Sequence, residues 1–376
     1  GHGGTEKRKV MLMKRYLILE DGSFFPGIGF GAPVITTGEM VLNSGNGDYT
    51  ATITDAANFG QIIAFTDPII GNVGINQEDI QSLLPKIRGV VARNITDVPR
   101  SRHSQFNLAD YLKLYKIPGI TGVDTAALSR ILLAKGPLKA SFMDTADEHA
   151  FDQIRALVLP HDQVKQVSTK QPYASPNVGQ NILVVDLGVR HALLRELSRR
   201  DCNLTIVPYN TTAKEILAFA PDAVVFTSGP GNPNDALLVA ENIKELQGHV
   251  PILGIGLGAE LIGLANDATI GLTAANHRGG PFPVREVATG RIWQTMQNHT
   301  YGIDRASVAD TPLIVTHEDI RDHSVAGIRH RQYPVSGVLF YPEADPEPTD
   351  ATQLIDEFME MVAAARHHGE GVIDDA

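Results

Sequence analysis

Pro251-Ile252-Leu253-Gly254-Ile255-Gly256-Leu257-Gly258-Ala259-Glu260-Leu261-Ile262-Gly263-Leu264-Ala265 decides how this chain is read. A short apolar run ends in a tight glycine turn and enters an apolar helical stretch, Leu261 to Ala265. Strand, turn and helix form the setting of a nucleophile elbow, where a G-x-Nuc-x-G spacing lifts a nucleophile from a strained turn above a sheet. The middle position is Gly256, which has no side chain to attack anything. Two other readings stay open. The glycines suit close packing of strand on helix, and Gly254, Gly256 and Ala259 fit the G-x-G-x-x-G/A fingerprint of a dinucleotide site. That fingerprint requires an acid about 20 residues on, and Thr269 to Asn276 supplies none.

Working outward, Ile182 to Val185, Leu204 to Val207 and Ala223 to Phe226 read as further buried strands. Helical stretches at about Arg190 to Arg199, Ala213 to Phe219 and Ala236 to Leu246 separate them. This alternation predicts an α/β domain with a parallel, doubly wound sheet and helices on both faces. Ligands of such sheets sit at the carboxyl ends of the strands, where the loop Thr227-Ser228-Gly229-Pro230-Gly231-Asn232-Pro233 also lies. Upstream, 164–180 is polar, with Ser, Thr, Lys, Gln and two prolines, and reads as a linker. From about Lys14 to Phe142, short β-type runs (Tyr16 to Leu19, Ile62 to Phe65, Gly89 to Ala92) and helical patches near Leu108 to Tyr115 and Thr125 to Leu133 predict a compact mixed α/β unit. The expected layout is an N-terminal mixed α/β domain over 13–163, the linker over 164–180 and a C-terminal doubly wound domain over 181–366.

The totals agree with two domains: 376 residues, 43% hydrophobic and 20% charged, can bury a sizeable core. A net charge of −11 argues against a nucleic-acid partner, whose affinity would come from clustered Lys and Arg. The single cysteine, Cys202, excludes an internal disulfide, so a cytoplasmic setting is the default. Apolar runs break well short of about 18 residues, which speaks against a membrane helix. The opening Gly-His-Gly-Gly-Thr-Glu-Lys-Arg-Lys lacks an apolar h-region and reads as a remnant or extension rather than a signal peptide, with a native start at Met11 or Met13.

The series Asp186-Leu187-Gly188, Thr205-Ile206-Val207-Pro208, Ser228 to Pro233, Gly254 to Gly258, Gln297-Asn298-His299 and Tyr341-Pro342-Glu343-Ala344 resembles the class I glutamine amidotransferase domain of carbamoyl-phosphate synthase small subunits. The N-terminal half is similar to that family's first domain, through Tyr16 to Gly22, Gly60-Gln61-Ile62, Pro68 to Gly74 and Gly122-Val123-Asp124-Thr125. The resemblance covers about Met13 to Ala365. It implies a Cys at the elbow, activated by a His that a Glu orients, whose thiolate attacks the glutamine amide and releases ammonia. On this chain those positions are Gly256, Tyr341 and Glu343, so the nucleophile and the base are lost and the Glu is retained. The implied glutamine pocket comprises Gly45, Gly229, Gly231, the Leu257 amide, Glu260, Asn298, Thr300 and Tyr301. It has drifted too. The family's His-Gln pair is Ala259-Glu260, its Gly after Gln-Asn-His is Thr300, and its Met-Thr-Gly-Tyr loop reads Asn46-Gly47-Asp48-Tyr49.

No other residue replaces the missing pair. Cys202 reads as a core thiol, Ser228 has no base that sequence places beside it, and His277 and His299 read as structural hydrogen-bonding groups. Loss of a triad nucleophile costs on the order of 10⁶ in turnover, and a second loss adds little. The resemblance therefore implies a small subunit that cannot hydrolyse glutamine and binds the carbamoyl-phosphate synthase large subunit. That subunit would carry ATP, metal and all the ligase chemistry and would draw on free ammonia, as some members of the family do after losing the Cys. This chain itself would hold no cofactor or metal, and the product would feed arginine or pyrimidine synthesis. Two rivals stand beside this: a free-standing pseudoenzyme sensing a small amine through Glu260, and glutamine hydrolysis by an unrecognised route.

Overall fold

The computed structural model describes residues 13–45, 49–96, 106–145, 147, 149–343 and 350–370, and not the side chains of residues 150 and 366–370. Within these, one compact unit is built from the chain up to Val41, Gln61–Ile75 and Arg88–Val158, and a second from Leu42–Gly60, Asn76–Ile87 and the chain from Leu159 onward. Among the described residues no helix is long and apolar enough to cross a membrane.

The first unit is a closed barrel of β1 (Lys14–Leu19), β2 (Phe24–Gly31), β3 (Thr36–Asn43), β4 (Gln61–Phe65), β5 (Gly89–Val91), β6 (Pro118–Thr121) and β7 (Leu138–Met143), in the order β1-β2-β6-β5-β4-β3-β7. β1 closes onto β7 antiparallel, and β4, β5 and β6 run parallel. Two glycines make room for aromatic rings: a Cβ on Gly119 would meet the Phe30 ring at 2.4 Å, and one on Gly89 the Phe142 ring at 2.7 Å. The two expected helical patches are helices, Leu108–Leu114 and Thr125–Lys135, each opened by an acceptor side chain, Asn107 and Asp124.

The second unit holds an eleven-stranded sheet: β8 (Tyr173–Ser175), β9 (Asn181–Asp186), β10 (Asn203–Pro208), β11 (Ala223–Phe226), β12 (Ile252–Ile255), β13 (Ile270–Glu286), β14 (Ile292–Ile303), β15 (Leu313–Asp319), β16 (Val325–His330), β17 (Val335–Val338) and β18 (Phe340–Tyr341). Its order is β18-β14-β13-β15-β16-β17-β12-β11-β9-β10-β8. The stretch from β17 to β10 is parallel and includes all four strands expected from sequence. Successive residues of these strands point to opposite faces. Leu183, Val185, Val224 and Ile252 enter one core with the helices Ala213–Ala218, Leu237–Leu246 and Leu257–Ala265. Ile182, Val184, Val225 and Leu253 enter the other, against Leu193 and Leu197 of His191–Arg199 and Leu354, Ile355, Phe358 and Val362 of Gln353–Glu370. Helices thus cover both faces, as expected.

Cys202 lies in this second core, and burial pushes its thiol up to about 11, well away from thiolate chemistry. The polar run 164–180 is more than a tether. It includes most of the helix Gln163–Val167, with Val164 buried in the first core, and the edge strand β8, which pairs antiparallel with β10.

Candidate functional site

The elbow is built as the spacing predicted. β12 ends at Ile255, Gly256 turns at φ 53° and ψ −115°, and the helix Leu257–Ala265 begins at the next residue. Side chains are strained in that conformation. The Gly256 N–H donates to the Val338 carbonyl at 2.8 Å, and its own carbonyl accepts from Ala259 and Glu260 at 2.9 and 3.1 Å. The three glycines of the turn differ in what excludes a side chain. A Cβ on Gly254 would lie 2.5 Å from the Gly258 carbonyl oxygen, and one on Gly258 would lie 2.2 Å from that of Phe226. Close packing therefore accounts for both. Among the described residues beyond its chain neighbours, a Cβ on Gly256 would meet only Ser228, at 3.2 Å and beyond, so space for a side chain remains there. Gly229 packs on the same turn: its Cβ would strike the Leu187 carbonyl oxygen at 2.2 Å and the Leu257 side chain at 3.0 Å.

Tyr341 and Glu343 belong to a second cluster, built around Asp55 and Arg190. The Tyr341 hydroxyl donates to Asp55 Oδ2 at 2.6 Å, and the Arg190 guanidinium lies over the Tyr341 ring, 3.9 Å from its centre. Arg190 Nη1 is 3.2 Å from Glu343 Oε1, and its Nε is 3.8 Å from Asp55 Oδ2. Asp55 caps the turn Ala56–Asn58 through Oδ1 and accepts Asn298 Nδ2 on Oδ2 at 3.1 Å. Asp55, Arg190, Glu343 and Tyr341 are all buried. Burial, followed by the Asp55 charge, holds the phenol well above its ordinary value of 10. A phenol so placed is no base at neutral pH. The cavity bordered by Asp55, Arg190, Asn298, Tyr341 and Glu343 has about 30 Å³ of room, enough for one water.

Asn298 joins this cluster to a third one, centred on Arg278. Arg278 Nη1 donates to Asn298 Oδ1 at 2.7 Å and to Asn58 Oδ1 at 2.8 Å, while Nε and Nη2 both donate to Thr300 Oγ1. Both ends of the Asn298 amide are therefore engaged within the protein. Glu260 is buried, and its Oε1 has no hydrogen-bond partner among the described residues. Burial pushes its carboxyl up to about 8 from 4.5, with the Arg278 charge opposing.

This shift sets a pH dependence. The folded state holds the Glu260 proton more tightly than the unfolded chain, so stability falls as pH rises from about 4.5 through about 8. Glu260→Gln is expected to remove that fall. Its stability relative to the parent should increase across this window by up to a few kcal/mol, measured by denaturant unfolding at pH 5 and pH 8.5. A constant difference would contradict the assignment.

Of the remaining expected residues, the Gly45 N–H donates to Asn43 Oδ1 at 3.0 Å, Gly231 turns at φ 92° beside Gln163, and the Tyr301 carbonyl accepts from His299 Nδ1 at 2.6 Å. The structure thus gathers Gly229, Gly256 and Leu257 at the turn, Asn298, Tyr341 and Glu343 around Arg190, and Glu260, Asn298 and Thr300 around Arg278. Asn46, Gly47, Asp48 and Ala344 lie outside the described residues.

The two histidines near Asn298 are engaged with each other and with their neighbours. His299 stacks on His277 at 4.8 Å, and burial, then the charge on His277, lowers it to about 3. His277 is raised to about 9 because hydrogen bonds to Asp319 and Asp322 outweigh its burial. His277, Asp319 and Asp322 could converge on a cation, but Arg321 already donates to both Asp319 oxygens at 3.0 and 2.8 Å. Three residues that organise the site, Asp55, Arg190 and Arg278, were not singled out from sequence. The signal available was positional: Arg190 closely follows the Asp186-Leu187-Gly188 turn at a strand's carboxyl end, and Asp55 precedes a capped turn.

Comparison with known proteins agrees with this architecture. A family model described as carbamoyl-phosphate synthase small chain, CPSase domain, matches residues 17–142, and one described as glutamine amidotransferase class-I matches 183–361. The carbamoyl phosphate synthase small chain of Streptococcus pyogenes is 46% identical over 357 residues, 94% of this chain and 99% of that one. That of Streptococcus mutans is 47% identical over 353 residues, 93% of this chain and 97% of that one. The carbamoyl phosphate synthase pyrimidine-specific small chain of Lactiplantibacillus plantarum is 46% identical over 352 residues, 94% and 97% of the two chains. With both halves matched in order and relatives aligned over nearly their whole length, this chain belongs to the carbamoyl-phosphate synthase small chain family.

Proposed function

We propose that this chain is a small subunit of carbamoyl-phosphate synthase that does not hydrolyse glutamine and instead supports ammonia-dependent synthesis by a large subunit, in the cytoplasm. The observation that carries the reading is the Tyr341 lock: at the position proposed for the base, a buried phenol is fixed on Asp55 beneath Arg190. Glutamine hydrolysis needs a thiolate to add to the amide carbonyl and an acid to protonate the departing ammonia. Gly256 supplies no nucleophile, and Tyr341 holds its proton far above neutral pH. Glu343, the one retained member, pairs with Arg190 at 3.2 Å rather than orienting an imidazole. ATP and metal would belong to the large subunit, with bicarbonate activation, carbamate formation and the second phosphorylation.

The test on this chain alone is ammonia release from glutamine, followed with a coupled dehydrogenase. Release at the buffer rate is expected, and turnover above it would contradict the reading.

A further inference from the structure

We propose that the second unit carries a binding site, separate from the elbow, for a small anionic molecule with an apolar or aromatic body. The site is a cavity of about 320 Å³ at the carboxyl end of β9, with Asp186 and Gly188 among its lining residues. Its size lies at the lower end of small-molecule pockets. Its place in the sheet is the one at which doubly wound folds hold ligands. From β9 the chain crosses to β10 on one side and then to β11 on the other, so the order reverses at β9. Gly256, at the end of β12, is not among the residues that line it.

The lining divides into two kinds. Leu83, Leu84, Val167 and Val189 supply apolar wall, with the Tyr173 ring beside them. Leu83 is 82% and Leu84 58% exposed, so these side chains stand in solvent at the cavity rather than in a core. On the polar side Lys86 is the one cation among the lining residues, beside Ser82, Thr169, His191 and the buried Asp186. Lys86 lines the cavity, Lys170 lies close enough to act on the Asp186 carboxyl, and Arg195 close enough to act on His191.

These three cations are not neutralised by ion pairs among the described residues. Each donates to a main-chain carbonyl instead: Lys86 to Gln166 at 2.6 Å, Arg195 to Glu78 at 3.1 Å, and Lys170 to Lys165. The Asp186 carboxylate does not offset them at the surface, because it is buried and accepts the N–H groups of Thr169, Gly188 and Val189. On a chain of net charge −11, a cavity lined by Lys86, with Lys170 next to the lining Thr169 and Arg195 one helical turn from the lining His191, gathers positive potential. The apolar wall then selects, among anions, those with an apolar body.

The experiment is calorimetric titration of the full chain with phenyl phosphate as the probe, beside inorganic phosphate and benzyl alcohol. Phenyl phosphate is expected to bind with a Kd of about 1 mM or tighter, and each partial probe at least about tenfold more weakly. The double substitution Lys86→Glu and Lys170→Glu, both at exposed positions, is expected to weaken phenyl phosphate at least about tenfold. Equal binding of inorganic phosphate would reduce the site to a bare cationic patch and overturn the proposal. So would absence of phenyl phosphate binding, or affinity unchanged by the double substitution.

Discussion

Arg190→Ala is expected to destabilise the second unit by about 3–5 kcal/mol, the cost typical of leaving buried charges without their partner. Two carboxylates depend on that guanidinium: Glu343 at 3.2 Å and Asp55 at 3.8 Å, both buried. The variant also uncovers the Tyr341 ring. Neutralising the acids tests the cause. Arg190→Met combined with Asp55→Asn and Glu343→Gln is expected to recover most of the loss, because it removes the unpaired charges along with their partner. Denaturant unfolding measures both. A loss under about 1 kcal/mol for the single variant would mean that the charges are solvated and the cluster is not the lock described.

The second large effect concerns restoration of chemistry. Gly256→Cys alone is expected to leave glutamine hydrolysis at background, since nucleophile and base act as a unit. A thiol fits sterically, with Ser228 the only described residue beyond its chain neighbours within 4 Å of the new Cβ, although the turn at φ 53° costs it about 1–3 kcal/mol of strain. Adding Tyr341→His removes the phenol that Asp55 holds and supplies an imidazole beside Glu343. The double variant is expected to exceed Gly256→Cys by at least about 10², the lower bound for a positioned general base. Activity in the single variant equal to that in the double would show that another group already serves as base.

Much of the fold was legible because its signals are local. Runs such as Ile182 to Val185 and Ala223 to Phe226 are continuous and apolar, as strands covered on both faces must be. The elbow was legible for the same reason, since Gly254, Gly256 and Gly258 sit on a strand-to-helix junction. β17 was not, because Ser336 and Gly337 interrupt Val335-Ser336-Gly337-Val338 and leave no continuous apolar run. That glycine is needed, as its Cβ would lie 2.8 Å from that of Ala259, a contact made only in the folded chain. The lock was illegible on the same grounds. Asp55 and Tyr341 are 286 residues apart, and no periodicity links an N-cap acid to a phenol on a two-residue strand. The resemblance implied an imidazole partner for Glu343, and nothing in the sequence pointed to its ion pair with Arg190 at 3.2 Å.

Carbamoyl-phosphate synthesis is to be measured in a complex of this chain with a co-expressed large subunit, supplied in turn with ammonium and with glutamine. Synthesis with ammonium and none above background with glutamine is the expected result, whereas equal synthesis from glutamine would contradict the account of Gly256 and Tyr341.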